Sequence, residues 1–185
     1  MISDIYVEDD RHLRVAMVLE MERKMERLKN KNILITGGTR GIGLASAQEF
    51  EREGARVAIC GTDEKTLKEA RTTLGPKALA FSADVSKLSD LDGLYSKIKA
   101  EFGHLDAVFA NAGYSQFGPF EVVEEGTFDN LVAVNLKGVF FTIQKAVPLL
   151  KNGSSVIITS SVTVKNGLAH YEHDIGDQGG TFQFR

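Results

Sequence analysis

A glycine cluster set directly behind a short apolar run limits this chain more than any other feature. Ile33-Leu34-Ile35-Thr36 leads straight into Gly37-Gly38-Thr39-Arg40-Gly41-Ile42-Gly43, and a helix-forming stretch follows as far as Glu53. A strand-to-helix turn that tight needs residues without a Cβ. The same bareness lets a diphosphate approach the backbone, where a helix N-terminus offers N–H groups and the positive end of its dipole. The order is Gly-x3-Gly-x-Gly, not the Gly-x-Gly-x2-Gly of the commoner dinucleotide fingerprint. No Gly-Lys-Ser/Thr follows, which excludes a P-loop. Taken alone, the cluster is also what a plain tight connection would use. Its place after the first strand of an alternating series turns the reading toward a cofactor site.

That series starts at Lys31. Apolar runs predict strands over 33–36, 57–60, 78–81, 105–110 and 156–159, and helices over 41–53, 64–74, 86–102 and 127–150. Gly54 and Gly75 mark two helix ends, Thr62 or Asp63 caps the second helix, and Pro148 falls near the end of the last. Strands that are apolar without alternation are covered on both faces, as in a parallel sheet between helices. The expected fold class is α/β, a doubly wound, Rossmann-like parallel sheet, incomplete at its C-terminal end.

The 185 residues suit one domain with a short appendage. Hydrophobic residues make up 43% and charged residues 25%, which excludes wholesale disorder. A net charge of −3 gives no basic excess, so no nucleic-acid partner is expected. Cys60 is the only cysteine, which excludes an intrachain disulfide and a cysteine metal cluster and suggests a reducing, cytoplasmic home. No apolar run approaches the ~18–20 residues of a membrane span. Asp4, Glu8, Asp9 and Asp10 stand where a secretory signal would be basic and then apolar.

Ahead of the glycine cluster, Leu13, Met17, Met21, Met25 and Leu28 form one face of an amphipathic helix expected over 9–29. Such a stripe covers core or binds a partner. Alternatively, Met25 is the natural start and 1–24 an upstream extension. The expected units are an N-terminal helical extension over 1–29, a dinucleotide-binding domain over 30–168 and an aberrant tail over 169–185.

Five motifs, in order and in the expected elements, resemble the short-chain dehydrogenase/reductase family. They are Thr36 to Gly43, Asp84-Val85 after the third strand, Asn111-Ala112-Gly113 after the fourth, Asn135 in the long helix and Ser161 at the end of the fifth strand. The resemblance covers about 28–168. It implies a hydride transfer between nicotinamide and a small carbonyl or alcohol substrate. It also implies that Gly37, Thr39, Arg40, Gly41, Ile42 and Gly43 hold the diphosphate end of the cofactor. Asp84 would bond the adenine amino group with Val85 beside the ring, and Asn111, Ala112 and Gly113 would line the cofactor. Asn135 would support a water in a proton relay, and Ser161 would bond the substrate oxygen. The plainer alternatives are a helix-approach cap for Asp84, a turn asparagine for Asn111 and an ordinary strand-end serine for Ser161.

The second strand ends in Gly61 and Thr62, where an NAD enzyme carries an acid for the ribose hydroxyls. Asp63 comes next and serves either as that acid or as a helix cap. Arg40 stands where NADP-preferring members of the family carry a basic residue, and its guanidinium suits a 2′-phosphate. NADP is therefore favoured, with NAD the alternative and a merely solvated arginine the plain reading.

The resemblance breaks after about Leu168. The family needs a proton-donating Tyr thirteen residues after the Ser and a Lys four further on. Those places hold Asp174 and Gln178, and Tyr171 is three residues early. Read one base later, the codons for 170–185 permit a Ser-Ala-Thr-Lys-Ala-Ala run like the family's active-site helix, without restoring Tyr. The tail is thus expected to be frameshifted and prematurely ended, or else truly divergent. As written, the chain is either an oxidoreductase or an inactive dinucleotide-binding fragment whose family oligomer interface is disrupted. His170 and His173, with Asp174 and Asp177, make only a nonspecific metal motif.

Overall fold

The computed structural model describes residues 26–160, apart from Phe117. Five strands alternate with helices: β1 Asn32–Thr36, α1 Gly41–Arg52, β2 Arg56–Gly61, α2 Glu64–Leu74, β3 Leu79–Ser82, α3 Leu88–Phe102 and β4 Leu105–Ala110. Then come α4 Glu125–Leu131, a widened π-helical segment Val132–Gly138, α5 Val139–Ala146 and β5 Leu150–Ile158. Every pairing is parallel, and the strand order is β3-β2-β1-β4-β5. This is the doubly wound arrangement expected from the sequence, with all strand C-termini along one edge of the sheet.

Alternate residues of the central strands feed two cores. Ile33, Ile35, Val57, Ile59 and Phe109 pack on one face with Ala47 of α1 and Ala70 and Leu74 of α2. Leu34, Ala58, Cys60 and Val108 pack on the other with Leu91, Leu94, Tyr95 and Ile98 of α3 and Ala146 of α5. β1 is buried along its whole length, so it reads as a continuous apolar run.

Three expectations need correction. The amphipathic helix falls mostly outside the described residues, but its last part, 26–29, is not helical. The Arg27 and Leu28 amides donate to the side chain and the carbonyl of Glu53, and Asn30 turns the chain with φ 62°. The single helix expected over 127–150 is α4, the widened segment, α5 and a final 3₁₀ turn Val147–Leu149 that contains Pro148. A Cβ on Gly138 would come 2.9 Å from Val85 Cγ2, so the helix axis is pressed onto β3's exit there. Leu150 already belongs to β5, which is longer than the expected 156–159 and carries a register irregularity opposite Leu105 and Ala107. β5 is also not buried on both faces: Val156, Ile157 and Ile158 are exposed, and β5 is the edge strand among the described residues.

Candidate functional site

The turn between β1 and α1 is closed on its inner side and open on its outer side. A Cβ on Gly37 would lie 2.8 Å from Ala112 Cα, one on Gly38 2.6 Å from Ile59 Cγ2, and one on Gly43 2.3 Å from the Gly37 carbonyl oxygen. Gly41 differs: it has φ +54°, and a Cβ there would meet nothing within 4 Å. Arg40, in extended backbone ahead of α1, gives no side-chain cap, and the first turn of α1 has no acidic residue. At α2 the opposite holds: Asp63 Oδ1 accepts from the Thr66 amide at 2.7 Å and Glu64 follows. That amide and Thr66's side chain, helped by Lys65 and Arg40, hold the Asp63 carboxyl below its ordinary value against the opposing effect of desolvation. Asp63 therefore acts as a helix cap, the second of the two roles open to it. Thr39's side chain lies where a Cβ on Gly61 would be, and Arg40 and Ile42 are exposed.

Asn111 joins the turn to the neighbouring strands. Its Nδ2 donates to the Thr36 carbonyl at 3.1 Å and to the Gly37 carbonyl at 3.2 Å. Its Oδ1 accepts from the Thr159 hydroxyl at 3.0 Å. The Thr36 hydroxyl oxygen accepts from both the Asn111 and the Ala112 amides at 3.1 Å. Further along, Asn135 is 5% exposed and clasps the backbone of Tyr114, accepting from its N–H at 2.8 Å and donating to its carbonyl at 2.7 Å. A buried amide in an apolar stretch needs such partners, and helix widening recurs where a helix serves a site.

Asp84 Oδ1 accepts from the Ser86 amide at 3.0 Å and hydroxyl at 2.7 Å, and its Oδ2 faces Lys87 at 3.5 Å. Partial burial works against its ionisation, but Ser86 and Lys87 outweigh this and hold the carboxyl below its ordinary value. Val85 is buried beneath Gly138.

The structure thus brings Gly37, Gly43, Asn111 and Ala112 into contact, sets Asn135 on the residue after Gly113, and leaves Asp84 with its own helix approach. Ser161, Tyr171 and the histidine motif lie outside the described residues. Among the described residues no group of three His, Cys, Asp or Glu could hold a metal, and no helix is long and apolar enough to cross a membrane. The sequence reading passed over the hydroxyls of Thr36 and Thr159. Their signal was present: each is a threonine at a strand end, directly before the glycines or two residues before Ser161.

Residues 31–173 match the family model of short chain dehydrogenases. The chain belongs to the short-chain dehydrogenase family. It is 43% identical over 145 residues to oxidoreductase asL5 of Sarocladium schorii, covering 77% of this chain and 58% of that protein. It is 38% identical over 144 residues to the oxidoreductase YxbG of Bacillus subtilis, covering 75% of this chain and 53% of that protein. Among solved structures, a 3-ketoacyl-(acyl-carrier-protein) reductase from Brucella melitensis, complexed with NADH, superposes with a TM-score of 0.74 at 30% identity. That match covers 78% of this chain and 62% of the reductase. The chain spans a little over half the length of the curated short-chain dehydrogenases it matches.

Proposed function

We propose that residues 30–168 bind a nicotinamide dinucleotide along the carboxyl edge of the sheet, in an oxidoreductase that moves hydride between nicotinamide and a small carbonyl or alcohol. The observation that carries this reading is the β1–α1 turn, closed toward Asn111 and Ala112 and open at Gly41, ahead of a helix with neither a side-chain cap nor an acid in its first turn. That is the form a diphosphate needs: bare backbone, helix N–H groups and a positive dipole end. Gly37, Thr39, Arg40, Gly41, Ile42 and Gly43 would hold it. Asp84, Val85, Asn111, Ala112 and Gly113 would line the rest of the cofactor, with Asn135 and Ser161 on the substrate side. A bound dinucleotide supplies the hydride donor or acceptor. The protein's part is to orient it and to hold the strand ends in register. NADP is the preferred form, because Asp63 is engaged by Thr66 while Arg40 is exposed beside it.

A second reading, binding without turnover, rests on Asp174 and Gln178 at the places of the family's Tyr and Lys. Incubation of the purified chain with NADPH and a panel of small carbonyl compounds separates the two. The second reading expects bound NADPH with negligible oxidation, because Asp174 and Gln178 cannot serve as the proton donor and its lysine. Sustained oxidation, lost on Ser161→Ala, would replace the second reading by the first.

A further inference from the structure

We infer that Thr159 is a positioning residue whose hydroxyl, by donating to Asn111 Oδ1, sets the amide that supports the glycine turn. The inference rests on the dinucleotide-binding reading of that turn. A carboxamide has one oxygen and one NH₂ group, and only its surroundings decide which way round it sits. At Asn111 the NH₂ faces two carbonyls, those of Thr36 and Gly37, and the oxygen faces β5. Turned round, it would set its oxygen against two carbonyl oxygens. Thr159 supplies a donor on the far side, and so favours the orientation the turn requires.

The amide also fills the space that the missing side chains leave. A Cβ on Gly43 would lie 2.6 Å from Asn111 Nδ2 and one on Gly37 3.2 Å from it. The turn therefore rests on this one group, and a shift of the amide is a shift of the turn. Thr159 is itself held by the sheet, since its N–H donates to the Ala110 carbonyl at 3.2 Å just past the β4–β5 ladder. One hydroxyl thus ties the end of β5 to the exits of β1 and β4, the three strand ends that face the proposed cofactor. In the sequence, Thr159 stands two residues before Ser161.

The experiment compares the full chain with Thr159→Val, which exchanges the hydroxyl for a methyl, and Thr159→Ser, which keeps the hydroxyl. Two quantities are read: hydrogen exchange of the amides of 37–43 without ligand, and NADPH affinity by titration. Thr159→Val is expected to speed exchange in 37–43 and to weaken NADPH about three- to tenfold, the range of one hydrogen bond. The melting temperature falls by no more than a few degrees, and Thr159→Ser restores both quantities. The inference is overturned if Thr159→Val keeps wild-type exchange and affinity. It is also overturned if Thr159→Ser fails as badly as Thr159→Val, or if exchange speeds up throughout the molecule. If the wild-type chain binds no NADPH, the dinucleotide reading falls, and exchange in 37–43 alone decides the role of Thr159.

Discussion

Glu53 and Asp106 are the two most deeply buried acids among the described residues, 2% and 8% exposed, and neither stands out in the sequence. Glu53 accepts from the Arg27 amide and from its guanidinium at 2.8 Å. Asp106 accepts from the Asn32 amide at 2.9 Å and faces Lys31, Lys151 and His104. Apart from His104, these partners lie tens of residues away, so composition and local pattern give no warning of them. Burial alone would raise the Asp106 pKa, but the Asn32 amide and the two lysines outweigh it and hold it at about 2. A depressed carboxylate stabilises the fold above its unfolded value, and that contribution is lost as pH falls through the folded one. Urea titrations should therefore show stability falling as pH drops from 3.8 toward about 2, with part of that slope removed by Asp106→Asn. An unaltered acid limb would contradict this. The same scale decides cofactor choice. Arg40→Ala should narrow the preference for NADPH over NADH by about 1.5–3 kcal/mol, the worth of a charge-assisted contact, in parallel fluorescence titrations. Equal affinities in the wild type would count against the assignment.

At the scale of elements, α2 was legible, because Gly75 ends it and Asp63, one of the two cap candidates, caps it. The long helix was not. Its apolar pattern runs through 131–141 with only Asn135, Lys137 and Gly138 interrupting it, while the widening accompanies Gly138 against Val85 and Asn135 reaching out to Tyr114, contacts that no single-segment pattern carries. Asn135→Leu should cost about 1–3 kcal/mol in chemical denaturation, because the Tyr114 backbone loses its amide partner. A change of a few tenths would show the clasp to be incidental. The glycine turn offers a sharper contrast. Gly43→Ala drives a Cβ onto the Gly37 carbonyl oxygen, and overpacking against backbone costs about 1–3 kcal/mol or more. Gly41→Ala enters open space and pays only for its positive φ, about 1–2 kcal/mol. Gly43→Ala should thus be the more damaging to the turn, and the reverse order would contradict the geometry.

For the whole molecule, the parallel sheet and its strand order follow from the alternation of short apolar runs with helices, and the five motifs placed the family. Leu136 of the widened segment, Phe140 of α5 and Val147 just after it are all exposed, Phe140 to 59%. Val156, Ile157 and Ile158 lie exposed on β5, the edge strand among the described residues. Contiguous apolar surface and an edge strand both favour association. Sedimentation velocity should show the purified chain self-associating with rising concentration, and Phe140→Glu should weaken that. A monodisperse wild-type monomer at all concentrations would refute it. The central claim, a dinucleotide held at the β1–α1 turn, is tested most directly by calorimetric titration of NADPH into the wild-type chain and Gly43→Ala. The wild type should show saturable, one-to-one binding that is lost in Gly43→Ala. No saturable binding by the folded wild-type chain, or equal binding by the two, would contradict it.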